Sequence, residues 1–207
     1  MVIQTLGFDW SGVVSDDRPS VYEANMILFD LYRIPRITFQ EWLEESKASA
    51  SDLLASKGVT EPKEYLEQLY KQELDFVIQR GIVPTVYPDA LEVFRSLYER
   101  EIPISVVSSH PEENLRGEAI KYELLSYIHT LISTRDKPSA IKRLCKGLVD
   151  SLELLYIGDT IFDIRSGKAA GVRTGGITTG YHSRKRLESE NPDYVFNSLT
   201  EMLERVF

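Results

Sequence analysis

The 207-residue chain has an ordinary globular composition, with 43% hydrophobic and 10% aromatic residues, and its length suits one α/β domain with a modest insertion. Its formal net charge of -8 argues against nucleic acid as a partner, because binding a phosphate backbone needs clustered Lys and Arg side chains. The one basic cluster, residues 184–186, is diluted by Glu188 and Glu190 and predicts a solvated surface loop.

Three other features narrow the class of protein. No apolar run approaches the roughly 20 residues that a membrane-spanning helix needs, so no membrane partner is predicted. The segment before Asp9 is too short and too weakly charged for a signal peptide, and we expect a cytoplasmic protein. The single cysteine, Cys145, excludes an internal disulfide. No pattern in the sequence indicates an oligomeric state.

The first predicted element is a strand over residues 2–8. Its apolar run ends abruptly at Asp9, which predicts a central strand that brings a carboxylate to the edge of a sheet. Gly12 follows and permits a tight turn.

Residues 20–81 predict four helices with no strand between them. Thr38 and Glu41 form a capping-box pattern that opens the second helix. Thr60 is expected to cap the fourth, which stops at Gly81. The sequence therefore predicts an all-helical subdomain over residues 18–82, inserted into a core domain made of residues 1–17 and 83–207.

After residue 88, strands alternate with helices. The pattern predicts a helix around 91–97, strands at 102–107 and 131–132, a helix over 138–147, a strand at 152–157, a helix ending near Gly171, strands at 173–177 and 194–196, and a last helix opened by Ser198 and Glu201. This alternation predicts an α/β fold, a parallel sheet with helices on both faces.

Polar residues of a coherent kind follow the predicted strands, where ligands of open parallel sheets bind. These residues are Asp9 with Ser11, Ser108 with Ser109, and Asp159 with Asp163, and Lys137 is predicted just before a helix. Converging carboxylates repel one another, and Mg²⁺ relieves this because it prefers a few carboxylates plus water and substrate oxygens. Serine hydroxyls and a lysine suit a phosphoryl group. Taken alone, the Asp and Ser residues are also typical of helix caps, and a Lys-Pro pair is common in loops, but together these features favour a small phosphorylated substrate.

The same residues resemble the motifs of the haloacid dehalogenase-like hydrolases over essentially the whole chain. The similarity is carried by residues 8–16, residues 106–109, Lys137 with Pro138, residues 158–164 continuing to 167–171, and residues 180–181 and 193–195. The resemblance implies a Rossmann-like core, a helical cap between the first two motifs, and a Mg²⁺-dependent hydrolase of the phosphatase or phosphonatase branch.

The resemblance also implies roles for the matching residues. Asp9 is the expected nucleophile that forms an aspartyl-phosphate. Ser108 is expected to bond a phosphoryl oxygen, and Lys137 to neutralise charge between Asp9 and the phosphate. The expected phosphate-binding set is Trp10, Gly12, Ser108, Ser109 and Lys137.

The implied metal site departs from the family pattern at one position. Mg²⁺ is expected on Asp9, on Asp159 and on the backbone carbonyl of Ser11, with Asp163 orienting a bound water or the lysine from behind. Phosphatases of this family usually have an aspartate where this chain has Ser11. That aspartate protonates the leaving group and later activates water. Because a serine hydroxyl is a poor acid or base near neutral pH, the expected loss is about 10²–10⁴-fold.

Several interpretations of Ser11 stay open. The enzyme either acts on leaving groups that need no proton, or transfers a long-lived aspartyl-phosphate, or is a phosphonatase-like C–P hydrolase that uses a cap lysine. The candidate lysines are Lys47, Lys57, Lys63 and Lys71. A rival of another class is a catalytically weak phosphate-binding or regulatory protein. His110, just after the second motif, is either a substrate contact or an ordinary capping residue.

Overall fold

The computed structural model describes residues 2–146, 148 and 150–207, and its chain divides into two compact units. One unit combines the segment up to Asp16 with the segment from Val86 onward, and the other is the continuous segment Asp17–Thr85. Two short strands, β2 (Ser15–Asp16) and β3 (Thr85–Val86), stand where the chain passes between the units.

The first unit is built on a six-stranded parallel sheet with the order β5-β4-β1-β6-β7-β8. The strands are β1 (Thr5–Phe8), β4 (Ile104–Ser108), β5 (Thr130–Ser133), β6 (Leu154–Gly158), β7 (Arg173–Ile177) and β8 (Tyr194–Phe196). The strand β1 lies in the middle, with Phe8 opposite Val106 of β4 and Ile157 of β6. The predicted parallel α/β sheet is confirmed.

Helices cover both faces of this sheet because successive side chains of a strand point to opposite faces. On β6, Leu155 and Ile157 pack in one buried cluster, and Leu154 and Tyr156 in another. The first cluster includes residues of α5 (Ala90–Glu99), α6 (Glu112–Lys121) and α10 (Leu199–Val206). The second includes residues of α7 (Lys137–Leu144) and α8 (Ile161–Ala170).

The second unit contains the helices α1 (Arg18–Leu31), α2 (Phe39–Glu45), α3 (Ala50–Ser56) and α4 (Lys63–Gln79). The capping box of Thr38 and Glu41 is present at the start of α2. The predicted cap at Thr60 is wrong, because α4 begins at Lys63 after Pro62, whose fixed φ suits the residue before a helix and which has no side-chain acceptor. Among the described residues, no helix has both the length and the apolar character needed to cross a membrane.

The structure departs from the predicted elements most clearly in the first strand, in α6 and in the basic cluster. The first strand starts at Thr5 rather than residue 2, because ladder pairing with β6 begins at Thr5 and pairing with β4 begins at Leu6. The helix α6 was not predicted, and the basic cluster lies in a short helix, α9 (Arg184–Glu188), instead of a loop. In α9, Leu187 is fully buried, and burial of this one apolar side chain fixes the turn against the sheet. The predicted helix end at Gly147 lies outside the described residues.

Candidate active site

Three neighbouring strands end at the same edge of the sheet, and each has a polar residue at its end or directly after it. Asp9 comes directly after β1, Ser108 is the last residue of β4, and Asp159 comes directly after β6. Because these strands are parallel and in adjacent register, their carboxyl ends meet at one edge.

At this edge the structure brings together three carboxylates and one ammonium group. Carboxylate oxygens of Asp9, Asp159 and Asp163 lie within 4.8 Å of one another, and all three residues are buried. The Lys137 Nζ lies 2.9 Å from Asp9 Oδ2 and 2.6 Å from Asp163 Oδ1. Lys137 is the first residue of α7 rather than just before a helix, because Asp136 takes the capping position and accepts the Ser139 N–H.

The other carboxylate oxygens differ in their hydrogen bonding. Asp163 Oδ2 accepts hydrogen bonds from the backbone N–H and the hydroxyl of Thr160. Asp159 Oδ2 accepts the Tyr181 backbone N–H at 2.7 Å. Asp9 Oδ1 is buried and has no hydrogen-bond partner among the described residues. One oxygen of Asp9 is therefore oriented by Lys137, and the other is available to a ligand.

The cluster carries more negative charge than Lys137 can balance. Burial raises the pKa of Asp9 above its usual range, and Asp163 adds to this while Lys137 opposes it. Burial, Asp163 and Asp9 together raise the pKa of Asp159 well above its usual range. Burial alone would lower the pKa of Lys137, but Asp163 and Asp9 raise it well above the ordinary value, so the lysine stays charged.

Two glycines make room for the Asp159 carboxylate. A Cβ atom added at Gly12 or at Gly180 would overlap that carboxylate. Gly12 also has a φ of 74°, which a side chain would strain. Its N–H donates to Ser15 O at 2.7 Å, and its carbonyl accepts the Thr179 hydroxyl at 2.7 Å. Both backbone groups of Gly12 are thus used within the turn, so a phosphate contact through its N–H requires the turn bond to break.

The other predicted phosphate-binding residues surround the end of β4 and the turn after β1. Ser108 is buried and its Oγ accepts the His110 N–H at 3.3 Å, whereas Ser109 is exposed. The Trp10 side chain is fully buried, and its backbone N–H lowers the pKa of Asp9 against the larger effect of burial.

Sequence reasoning missed two residues near this edge. Glu118, on α6, accepts hydrogen bonds from Trp10 Nε1 at 2.7 Å and from Ser15 Oγ at 2.9 Å. His182 is buried, and its Nδ1 accepts the Ile161 N–H at the start of α8. The apolar pair Leu115 and Ala119, four residues apart after Pro111, is the signal that would have predicted α6.

The known sequence pattern of the family described as "Haloacid dehalogenase-like hydrolase" matches residues 7–177. That range includes Asp9, Lys137, Asp159 and Asp163, the four residues of the charged cluster. The chain belongs to this family. The predicted enzyme class, a hydrolase, is confirmed.

Curated relatives and solved structures match this haloacid dehalogenase-like hydrolase over nearly its full length. Phosphoglycolate phosphatase of Vibrio parahaemolyticus is 24% identical over 220 residues, covering 99% of this chain and 96% of that protein. Phosphoglycolate phosphatase of Haemophilus influenzae is also 24% identical, covering 96% of each. A haloacid dehalogenase-like hydrolase from Streptococcus pneumoniae has a TM-score of 0.84 at 16% identity, covering 99% of both chains. A haloacid dehalogenase-like protein from Agrobacterium tumefaciens has a TM-score of 0.82 at 17% identity, covering 99% and 97%.

Because His182 is buried, the free energy of unfolding of this hydrolase is expected to fall at acidic pH. Burial, with a smaller effect of Arg186, lowers the pKa of His182 to about 4, although Asp163 opposes this. In the unfolded chain a histidine titrates near pH 6.5. Between these values the unfolded state binds the extra proton, so stability is complete above about pH 6.5 and falls as the pH drops towards about 4.

We expect the variant His182→Asn to lose this pH dependence of stability. Its amide oxygen can replace the Nδ1 acceptor. Urea unfolding in EDTA at about pH 7 and about pH 5 should show the wild type losing roughly 2 kcal/mol more than the variant, since 1.4 kcal/mol corresponds to one pKa unit. Equal losses in the two proteins would contradict the assignment to His182.

Proposed function

We propose that this hydrolase is a Mg²⁺-dependent phosphatase that transfers the phosphoryl group of a small substrate to Asp9 and then releases it to water. The observation that supports this most directly is the state of the Asp9 carboxylate. Its Oδ2 is held by Lys137, and its Oδ1 is buried, has no partner in the described part of the chain, and lies in the carboxylate cluster.

The residues of the cluster fit a hard divalent cation. Mg²⁺ takes one or two carboxylates together with water and substrate oxygens, and Asp9 and Asp159 offer such oxygens in a buried, negatively charged setting. We assign Asp9, Asp159 and the backbone carbonyl of Ser11 as ligands. Asp163 is assigned a supporting role beside the ligands rather than a direct bond to the metal, because Lys137 and Thr160 already contact both of its oxygens. When bound, the metal supplies positive charge that offsets the charge on the transferring phosphoryl group.

The other roles in phosphoryl transfer are assigned to side chains of the protein. Asp9 attacks phosphorus, and the bond between phosphorus and the leaving oxygen breaks as the aspartyl-phosphate forms. Lys137 keeps Asp9 ionised and neutralises charge on the phosphoryl oxygens. Asp163 holds Lys137 in place through the 2.6 Å ion pair. Ser108, at the end of the strand next to β1, is assigned to bond a phosphoryl oxygen.

The substrate is proposed to be a small phosphate monoester. Two relatives are named phosphoglycolate phosphatase, which makes 2-phosphoglycolate a natural test compound. The unit Asp17–Thr85 is proposed as the cap, because it is inserted between Asp9 and Ser108 in the sequence. Within that unit, Lys57 pairs with Glu45 and Lys63 with Asp52 at 3.0 Å, which makes these two poor candidates for an imine-forming lysine, and Lys47 and Lys71 are exposed.

The proposal is tested by measuring phosphate release from 2-phosphoglycolate, p-nitrophenyl phosphate and acetyl phosphate with Mg²⁺ and with EDTA. We expect EDTA to lower turnover by at least about 10²-fold, because the charge of the carboxylates then opposes the phosphoryl group. Mg²⁺ should also raise the melting temperature of the wild type and of Asp75→Asn, a control on an exposed position of α4.

Asp159→Asn should lose both responses to Mg²⁺. A phosphatase activity that persists in EDTA, or a melting temperature of Asp159→Asn that still rises with Mg²⁺, would contradict the proposed metal site.

A further inference from the structure

The position that lacks the usual aspartate has a hydrogen-bonded partner of its own. Ser11 Oγ lies 3.3 Å from His110 Nδ1. The opposite ring nitrogen, Nε2, lies 3.7 Å from Glu118 Oε1. The three side chains therefore form a line from the turn after β1, through the loop after β4, to α6 of the same unit.

Glu118, at the end of this line, is held in a fixed orientation by two further hydrogen bonds. The other oxygen of Glu118, Oε2, accepts hydrogen bonds from Trp10 Nε1 at 2.7 Å and Ser15 Oγ at 2.9 Å. Burial opposes ionisation of Glu118, but hydrogen bonds from His110, Trp10 and Ser15 lower its pKa below the usual range. Glu118 is thus an ionised acceptor in a fixed orientation.

The imidazole is also held in place by its backbone. The His110 N–H donates to Ser108 Oγ at 3.3 Å, and the His110 carbonyl accepts the Ser133 hydroxyl at 2.6 Å. The side chains of His110 and Glu118 keep 21% and 15% of their surface exposed, so the ring is neither sealed in the core nor free in solvent. With Nε2–H directed at Glu118, Nδ1 is the nitrogen that faces Ser11.

We propose that Ser11, His110 and Glu118 form a proton relay that supplies the leaving-group proton in place of the missing aspartate. Ser11 is assigned as the proton donor, because it lies in the turn that follows Asp9 and its Oγ is hydrogen-bonded to His110. His110 and Glu118 are positioning residues that act through it. The inference rests on the proposed function, because it concerns the leaving group of the same phosphoryl transfer.

The relay balances in both halves of the reaction. When the bond between phosphorus and the leaving oxygen breaks, that oxygen takes the proton of Ser11 Oγ, and Oγ takes the proton of His110 Nδ1. When water attacks the aspartyl-phosphate, its proton passes to Ser11 Oγ while the Oγ proton returns to Nδ1, and the carboxylate of Asp9 is released. Glu118 stabilises the imidazolium present before the first half and after the second.

The test compares a leaving group that needs a proton with one that does not. 2-Phosphoglycolate leaves as a strongly basic alkoxide, and p-nitrophenyl phosphate leaves as a weakly basic phenolate. We expect His110→Ala to lower kcat/KM, which reports formation of the aspartyl-phosphate, by about 10²-fold or more for 2-phosphoglycolate and by less than about tenfold for p-nitrophenyl phosphate. Glu118→Gln should change the ratio in the same direction. His129→Gln, an exposed histidine beside the start of β4, should leave the ratio unchanged.

A second arm separates proton transfer from a structural effect. Ser11→Asp supplies the usual acid directly, so adding His110→Ala to it should lower kcat/KM for 2-phosphoglycolate by less than about threefold. Equal losses of kcat/KM on both substrates, or the same loss with Ser11 and with Asp at position 11, would overturn the relay alone. Equal phosphate release by the wild type and Asp9→Asn would overturn the proposed function and the relay together.

Discussion

The variant Asp9→Asn is expected to lose at least about 10⁴-fold in phosphate release on every substrate, the largest effect of any single substitution in this chain. The amide keeps the shape of the side chain but removes the charge of the proposed nucleophile. It also leaves Lys137 with one carboxylate fewer, since Oδ2 of Asp9 is one of its two ion-pair partners. Initial rates of phosphate release with Mg²⁺ measure the loss.

The fold of Asp9→Asn is expected to survive. Asp9 is buried with a raised pKa, so replacing a costly buried charge with a neutral amide relieves repulsion from Asp159 and Asp163. Its melting temperature in EDTA should therefore equal or exceed that of the wild type. Asp75→Asn, at an exposed position of α4, is the matched control for the same chemical change. Turnover by Asp9→Asn at the level of this control would show that Asp9 is not the nucleophile.

The variant Lys137→Met is expected to lose stability as well as activity. Lys137 makes ion pairs of 2.9 Å with Asp9 and 2.6 Å with Asp163, and its side chain is only 14% exposed. Removing it leaves buried carboxylates without a cation, a change that typically costs about 3–5 kcal/mol. Urea unfolding in EDTA measures this loss. Turnover should fall by about 10²–10³-fold or more, because a charge aimed at the phosphoryl oxygens is gone.

The same helix provides the control for Lys137→Met. Lys142 is exposed in the last turn of α7, so Lys142→Met changes the same side chain without touching a carboxylate of the cluster. It should change the free energy of unfolding by less than about 0.5 kcal/mol. If the two variants were equally stable and equally active, the ion pairs of Lys137 would have no role in the fold or the chemistry.

The sheet and the charged cluster could be predicted from the sequence because both depend on patterns within short segments. Apolar runs that end in Asp9, Ser108 or Asp159 place those residues at strand ends whichever way the helices pack. Parallel pairing then brings the ends to one edge, as the register of β1 with β4 and β6 shows.

The residues that surround Ser11 and Asp159 could not be predicted in this way. Glu118 lies 107 positions after Ser11 (118 − 11), and its contact with Trp10 and Ser15 depends on how α6 packs against β1. The backbone N–H of Tyr181 on Asp159 has no sequence signal, because every residue except proline has such a group. Long-range contacts of ordinary side chains and of backbone groups are therefore the part of the site that local patterns cannot predict.

The place of β1 in the sheet has a consequence for the order of folding. The unit Asp17–Thr85 is continuous, so all of its helices can form before the rest of the chain has been synthesised. By contrast, Thr5 of β1 pairs with Leu154 of β6, and closing that loop must wait for most of the polypeptide. Asp9 follows β1 directly, so the proposed nucleophile emerges from the ribosome early but meets the other residues of the charged cluster late. A chain that is released early can therefore form the helices of Asp17–Thr85 but lacks the assembled charged cluster.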